Sequence, residues 1–153
     1  MSKGHLLLSF FIPVEPVPMC RPKIAVRGRR AIAYYNKKVN KHREDVALFL
    51  TNNGYKTKKP LDCPLVLELN IFLNKPKSAK RVVPYVRPDI DNYLKMIMDA
   101  LNPQKGDDIA VIKDDSLIVS VIVNKLYATE RVGWDVKIYS HALDLDIFEK
   151  DRR

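Results

Sequence analysis

Four aspartates and one lysine form the part of the sequence with the clearest chemical potential. Asp89 and Asp91 are two residues apart, at the start of a segment with helical periodicity. Lys95 follows Asp91 by four residues, so a helix places the two side chains on one face. The pair Asp114-Asp115 comes directly before an apolar segment with strand character. The sequence therefore contains two pairs of aspartates, with the positively charged side chain of Lys95 between them.

Carboxylate oxygens are the ligands that hard cations such as Mg²⁺ prefer, and two or three carboxylates suffice because the ion keeps several waters. If the strand after the second pair lies beside the start of the helix, Asp89, Asp91 and one of Asp114 or Asp115 converge. The bound metal would lower the pKa of a water and offset charge on a scissile phosphate. Lys95 would stabilise the developing charge or position the water. This set of residues therefore predicts an enzyme that hydrolyses phosphodiester bonds.

Each of these residues also has a purely structural interpretation. Asp89 is in the place where a side chain caps a helix. Asp91, Lys95 and Asp99 are spaced like a solvent-exposed ladder of charges, which contributes a few tenths of a kcal/mol per pair. The second acidic pair is compatible with a polar turn before a strand. A rival pair, Asp107-Asp108, is in the middle of a loop after a glycine, where we expect it to be solvated.

The net charge of +9 is concentrated in one segment. Residues 21–43 contain nine Lys or Arg and no acid, and the other 18 basic residues equal the 18 acidic residues in number. A second acid-free stretch, residues 74–88, carries further cations. Concentrated positive charge attracts a polyanion, and a negative pocket among basic flanks is what a metal-dependent nuclease requires. The predicted nucleic-acid contacts are Arg21, Lys23, Arg27, Arg29, Arg30, Lys37, Lys38, Lys41, Lys77, Lys80, Arg81 and Arg87.

Hydrophobic periodicity predicts the elements that must position these residues. Their order indicates an α/β (α+β) fold, a single mixed β-sheet of about four to six strands with two main helices packed on it. We expect one domain over residues 1–140 and a C-terminal tail over 141–153. The predicted elements are a buried strand at 6–12, a hairpin at 23–35 turning at Gly28-Arg29, a helix at 37–53 capped by Asn36, a strand at 65–73, a helix at 90–101, and strands at 117–127 and 133–140 that form a hairpin.

Composition argues against several other classes of protein. The longest apolar run, residues 6–12, is too short to cross a bilayer and lacks a cleavage site, so we expect a cytoplasmic protein with no membrane partner. Cys20 and Cys63 do not form a zinc pattern, and reduced thiols are expected in that compartment. The three histidines are too scattered for a metal triad and receive no role. A hydrophobic fraction of 46% is sufficient for one core.

The motifs resemble the RusA-type Holliday junction resolvases from about Phe10 to Tyr139. That family has an Asp-x-Asp-Asn sequence at a helix start, a Lys four residues after the second Asp, an Asp-Ala-Leu near the helix end, and an Asp-Asp pair leading into a strand. A basic N-terminal region follows Pro-x-Pro. The corresponding residues here are Asp89-Ile90-Asp91-Asn92, Lys95, Asp99-Ala100-Leu101, Asp114-Asp115, Pro16-Val17-Pro18 and Arg21-Pro22-Lys23.

The resemblance implies a homodimer that makes paired, metal-dependent nicks in a four-way DNA junction. It implies Asp89, Asp91 and Asp115 as ligands of Mg²⁺, with Mn²⁺ as a substitute, and Lys95 as the catalytic lysine. Small resolvases of this type are typical of phages and bacteria. The connection over residues 102–113 is longer than in compact members, which leaves the register of Asp115 against Asp114 open.

Three hypotheses about the function follow from the sequence. The first is a junction resolvase acting in DNA recombination and repair, and the second is a nuclease for flaps or other branched DNA. The third is a non-catalytic, basic DNA-binding protein. In the first two, Tyr34, Tyr35 or Tyr85 are candidates for stacking on opened bases, although tyrosines in such places also serve as packing residues.

Overall fold

The computed structural model describes residues 3–143, which form nine elements. Seven of the eight predicted strands and helices begin and end within two residues of the predicted positions. The first strand differs, because it begins three residues early. The elements are β1 (Lys3–Ile12), β2 (Lys23–Arg27), β3 (Arg30–Tyr34), α1 (Lys37–Asn52), β4 (Leu65–Leu73), α2 (Ile90–Leu101), the 3₁₀ turn η1 (Asp115–Leu117), β5 (Ile118–Tyr127) and β6 (Gly133–His141).

Four strands form one mixed sheet in the order β1-β6-β4-β5. β4 and β5 are parallel, and α2 is the crossover between them, whereas β6 is antiparallel to both β4 and β1. The α+β class with two main helices is therefore confirmed. The predicted tail continues beyond residue 143 and is outside the described residues.

The predicted hairpin of the last two strands is wrong, because β4 lies between them. Successive residues of β4, Leu65, Val66 and Leu67, are all fully buried, so both faces of this strand are covered. A strand of this kind belongs in the middle of a sheet and needs two partners. β5 and β6 fill those two positions on opposite sides of β4, and residues 128–132 connect them without a tight turn.

β1 is an edge strand, so the prediction of a fully buried first strand is only partly correct. Phe10 and Ile12 belong to the core, but Leu6 and Leu7 are 52% and 37% exposed. In the described part of the chain β1 pairs only with β6, and its register shifts between Lys3 and Leu8. Burial is therefore confined to its C-terminal half.

The predicted basic hairpin is present but is separate from the main sheet. Among residues 3–143, β2 and β3 pair only with each other, and Gly28 adopts a positive φ of 63° in the turn. Glycine reaches this conformation without strain. Arg27, Arg29 and Arg30 are exposed around the turn, as expected.

Both helices pack on the core through one face. Asn36 caps α1 as predicted, because its side-chain oxygen accepts a hydrogen bond from the amide of Val39 at 2.9 Å. α2 buries Tyr93, Met96, Ile97 and Leu101. Ile90, at the first position of the helix, is 40% exposed and does not belong to this buried face.

A buried polar contact joins α1 to β6. The indole nitrogen of Trp134 donates a hydrogen bond of 3.1 Å to Nε2 of His42. Nδ1 of His42 is buried without a partner among residues 3–143. Burial lowers the pKa of His42 from 6.5 to about 4, although Asp45 opposes the shift. His42 is therefore neutral in the folded protein at neutral pH.

Acid should destabilise the fold through His42 before it protonates most carboxylates. The unfolded chain binds the proton more tightly, so this contribution to stability is complete above pH 6.5 and is lost as pH falls toward 4. We expect a loss of at most roughly 3 to 4 kcal/mol in the free energy of unfolding, at about 1.4 kcal/mol per pKa unit. Urea denaturation at several pH values, followed by the fluorescence of Trp134, measures it.

The control is His42→Gln, which cannot titrate. Its stability should be lower at pH 7 but should change less than that of the wild type between pH 7 and 5. Parallel pH profiles for the two proteins would contradict a neutral, buried His42.

Candidate active site

Asp89 and Asp91 are exposed carboxylates at the N-terminus of α2. Asp89 occupies the N-cap position, yet its side chain accepts no capping hydrogen bond. The amide of Asn92 donates to the backbone carbonyl of Asp89 at 3.2 Å and to the side chain of Asp91 at 3.0 Å. The capping interpretation of Asp89 is therefore wrong. Its carboxylate remains available to a ligand.

Lys125 holds the segment that leads into this helix. Its ammonium group donates to the carbonyl oxygens of Val86 and Pro88 at 2.7 and 2.8 Å. These contacts bring the residues before Asp89 to the C-terminal end of β5. Lys125 is not recognisable from the sequence, because almost 40 residues separate it from its partners and its spacing carries no pattern.

Lys95 and Asp99 continue along α2 from Asp91. No ion pair within 4 Å joins Asp91 to Lys95 in the described part of the chain, so the charge-ladder interpretation is not supported. Asp99 is half-buried, and this burial raises its pKa. Lys95 and Arg43 oppose the rise, whereas Asp115 adds to it. These interactions place Asp115 close to the second half of α2.

The two acids of the second pair differ in their surroundings. Asp114 caps the turn η1, where its side chain accepts a hydrogen bond of 2.8 Å from the amide of Ser116. Its pKa is lowered mainly by hydrogen bonding to Ser116 and also by hydrogen bonding to Asp115. Asp115 is half-buried at the first position of η1. Asp114 thus has a structural task that its neighbour lacks.

A single chain does not bring the three predicted metal ligands together. Asp91 and Asp99 are eight residues apart, which separates them by about 12 Å along the helix. Asp115 interacts with Asp99, and Asp89 is at the far end near Lys125. Within residues 3–143 no three His, Cys, Asp or Glu side chains are close enough to hold one metal ion. The strand after Asp115 begins at the C-terminal end of α2 and not at its start.

The rival pair Asp107-Asp108 lies in an exposed loop and faces lysines. Asp107 is 3.9 Å from the ammonium group of Lys56, and Asp108 is 3.7 Å from that of Lys58. Lys56 is itself buried, with only 3% of its side chain exposed. The two aspartates therefore pair with nearby lysines, and their exposure agrees with the expectation that they are solvated.

The predicted DNA contacts are spread over the hairpin, α1 and the loop after β4. All are exposed except Arg81, which is half-buried and donates through Nε to the hydroxyl of Tyr127 at 2.8 Å. Lys41 forms an ion pair with Asp45 at 3.0 Å. Of the candidate stacking residues, Tyr85 is 76% exposed and Tyr34 is 46% exposed. The half-buried ring of Tyr35 contacts the guanidinium of Arg43 instead.

Cys20 and Cys63 are both reduced, as expected. Between residues 3 and 143 no helix is long and apolar enough to cross a membrane.

A basic α+β domain with exposed carboxylates at a helix start has the features of an enzyme that acts on nucleic-acid phosphates. The family model "Endodeoxyribonuclease RusA" matches residues 13–139, which run from the end of β1 into β6. The chain therefore belongs to the RusA endodeoxyribonuclease family, and the resemblance in its motifs is confirmed. At the level of the family this supports an endodeoxyribonuclease that resolves Holliday junctions.

The chain is also similar in sequence to a protein of Bacillus subtilis. The uncharacterized protein YqaN of Bacillus subtilis (strain 168) is 27% identical over 135 residues, which cover 80% of this chain and 89% of YqaN. The similarity therefore extends over most of both chains.

Replacing Asp89 should cost little stability, because its side chain does not cap α2. We expect Asp89→Ala to change the free energy of unfolding by no more than about 0.5 kcal/mol. Asn36→Ala, which removes a side chain that does cap a helix, should cost about 1 kcal/mol. Chemical denaturation of the two variants beside the wild type makes the comparison. An equal loss in both would restore the capping role of Asp89.

Proposed function

We propose that this protein is a divalent-metal-dependent endonuclease that resolves four-way DNA junctions by paired phosphodiester hydrolysis. The observation that carries the proposal is the pair of exposed carboxylates, Asp89 and Asp91, at the start of α2 in a strongly basic chain. Neither forms an ion pair within residues 3–143, and the side chain of Asp89 does not cap the helix. Membership of the RusA family gives the substrate class.

The donor set fits Mg²⁺, with Mn²⁺ as a substitute. Asp89, Asp91 and Asp115 offer only carboxylate oxygens, which hard cations prefer, and none of the three forms an ion pair within the described residues. When bound, the metal supplies a water of lowered pKa and offsets phosphate charge. Lys95, exposed one turn after Asp91, neutralises charge on the phosphate in the transition state. Asp115 is the better third ligand, since Asp114 is committed to a cap.

A homodimer would bring the separated carboxylates together. β5 is at an edge of the sheet, and its apolar residues Val119 and Val121 are 59% and 43% exposed. An apolar edge strand is a template for pairing with a second chain. Two-fold antiparallel pairing of β5 with its copy sets the start of one strand beside the end of the other. Asp115 would then approach the partner subunit's Asp89 and the partner subunit's Asp91.

The two-fold arrangement also suits the substrate. A four-way junction offers two equivalent strands, and a symmetric dimer with two sites can nick both. The basic hairpin and the loop after β4 would hold phosphates on either side of each cut. We assign the activity to recombination and repair of DNA in the bacterial cytoplasm. The relative in Bacillus subtilis supports a bacterial or phage source.

Cleavage should depend on Asp91 and on metal, whereas DNA binding should not depend on Asp91. With a labelled immobile junction and Mg²⁺, we expect Asp91→Asn to lower the cleavage rate by at least about 100-fold. EDTA should abolish cleavage by the wild type. Fluorescence anisotropy in Ca²⁺ should show unchanged junction affinity for the variant.

Asp108→Asn is the matched control, because it removes an exposed acid that pairs with a loop lysine. It should cut at the rate of the wild type. Equal cutting of a linear duplex would leave a nuclease without junction selectivity. Tight binding without cutting under any metal would make this a DNA-binding protein.

Mixed dimers test whether each active site draws on both subunits. Consider a heterodimer of one Asp91→Asn subunit and one Asp115→Asn subunit. If the sites are shared, both substitutions fall in the same site, and the second site is intact. We expect this heterodimer to nick one strand, although each variant homodimer is inactive. Differently tagged subunits allow the mixed species to be purified, and denaturing gels count the nicks.

A heterodimer of wild type with Asp91→Asn is the control, since it keeps one intact site under either arrangement. If it nicks one strand and the doubly substituted heterodimer nicks none, each site belongs to a single subunit. A chain that is monomeric by sedimentation would refute the shared site.

A further inference from the structure

A cleft of about 290 Å³ opens beside the N-terminus of α2. Pro16 and Pro18 from the segment after β1 form one wall, and Pro84 and Pro88 from the loop after β4 form another. Tyr127, the last residue of β5, also lines it. Pro88 directly precedes Asp89, so the cleft adjoins the proposed metal ligands. Rigid proline walls give it a shape that depends little on side-chain rotamers.

The charge of this cleft is positive. Lys38, Arg81 and Arg87 line it from α1 and from the loop after β4, and Glu15 is the acid among the lining residues. Glu15 accepts a hydrogen bond of 3.4 Å from the amide of Asn74. The cleft therefore has three positive side chains and one negative side chain, which come from separate segments of the chain. This excess of positive charge favours an anionic ligand.

Arg81 is fixed in place with part of its hydrogen-bonding capacity unused. Its Nε donates to the hydroxyl of Tyr127 at 2.8 Å, and its guanidinium carbon is 5.9 Å from the ring centre of Tyr85. The terminal nitrogens of Arg81 have no hydrogen-bond partner in the part of the chain that is described. A guanidinium held through one nitrogen presents its other donors as a fork that suits a phosphate or the edge of a base.

We propose that this cleft binds one unpaired nucleotide of the DNA, adjacent to the scissile phosphate. The proposal rests on the proposed nuclease function. The volume is at the lower end of clefts that take small molecules, about 300–1,000 Å³, so it admits a nucleotide but not a paired duplex. The prolines and Tyr127 offer apolar surfaces to the base, and the three cations hold its phosphates. A nucleotide seated there would keep the strand bent past Asp89.

Fluorescence of 2-aminopurine reports on such a nucleotide without requiring cleavage. The probe replaces each of the three nucleotides on either side of the branch point in one strand, and binding is measured in EDTA. We expect one position to respond to the wild type. Arg81→Gln, which removes the charge, and Tyr127→Phe, which removes the hydroxyl that holds Arg81, should reduce that response. Lys77→Gln, in the same loop but outside the cleft, should lower affinity and leave the response of the bound complex intact.

Abasic substitution at the responding position tests the link to catalysis. Stacking and contacts to one base contribute about 1–3 kcal/mol, so loss of the base should slow cleavage by the wild type about 5- to 150-fold. Arg81→Gln should cut the intact and the abasic junction at nearly the same rate. Lys77→Gln should show the full effect of base loss.

The outcomes separate the two proposals. In one outcome the junction is bound and cut, but all six probe positions respond equally to the wild type and to Arg81→Gln. This result overturns the proposal for the cleft and leaves the nuclease function standing. A response that needs Arg81 in a protein that binds but never cuts supports the cleft and overturns the nuclease. A protein that binds no junction overturns both.

Discussion

Parallel pairing of β4 with β5 determines where the acidic residues of the candidate site lie. Two consecutive parallel strands require the chain to return along the whole sheet, and α2 makes that return. The helix must then run opposite to the strands, so that its first residues are near the end of β5 and its last residues near the start. Asp91 and Asp115 are consequently held at opposite ends of one rigid unit. No adjustment of side chains can bring them together within a chain.

The same constraint explains why the surroundings of the two acidic positions differ. The start of α2 is an open end, held by Lys125 through backbone carbonyls and leaving the carboxylates exposed. The region around Asp115 is enclosed between η1 and α2, where burial raises the pKa of Asp99 and two cations compensate. The open end of the helix, near Asp89, suits contact with a large substrate. The partly enclosed region around Asp115 suits a carboxylate that is held in a fixed orientation.

Periodicity predicted most elements because each has a strong apolar face or a clear cap, as in α1 with Asn36. It also identified α2 as the helix that carries the acids. It failed on the order of strands, since alternation in β6 does not reveal whether its neighbour is β5 or β4. That choice was decided by the burial of both faces of β4, including Val66. Lys125 and the cleft around Arg81 depend on contacts between distant segments, which no local pattern contains.

Two features of the chain would each be a liability by itself. An edge strand with exposed Val119 and Val121 invites aggregation, and carboxylates at separate ends of a crossover unit cannot share a metal ion. The proposed antiparallel association of two copies through β5 would remove both at once, because it would cover the apolar edge and set the start of each β5 against the end of the other. In the proposed dimer each site would draw on both subunits. A nuclease built in this way would be inactive until it dimerises, so it would cut only substrates that engage both halves.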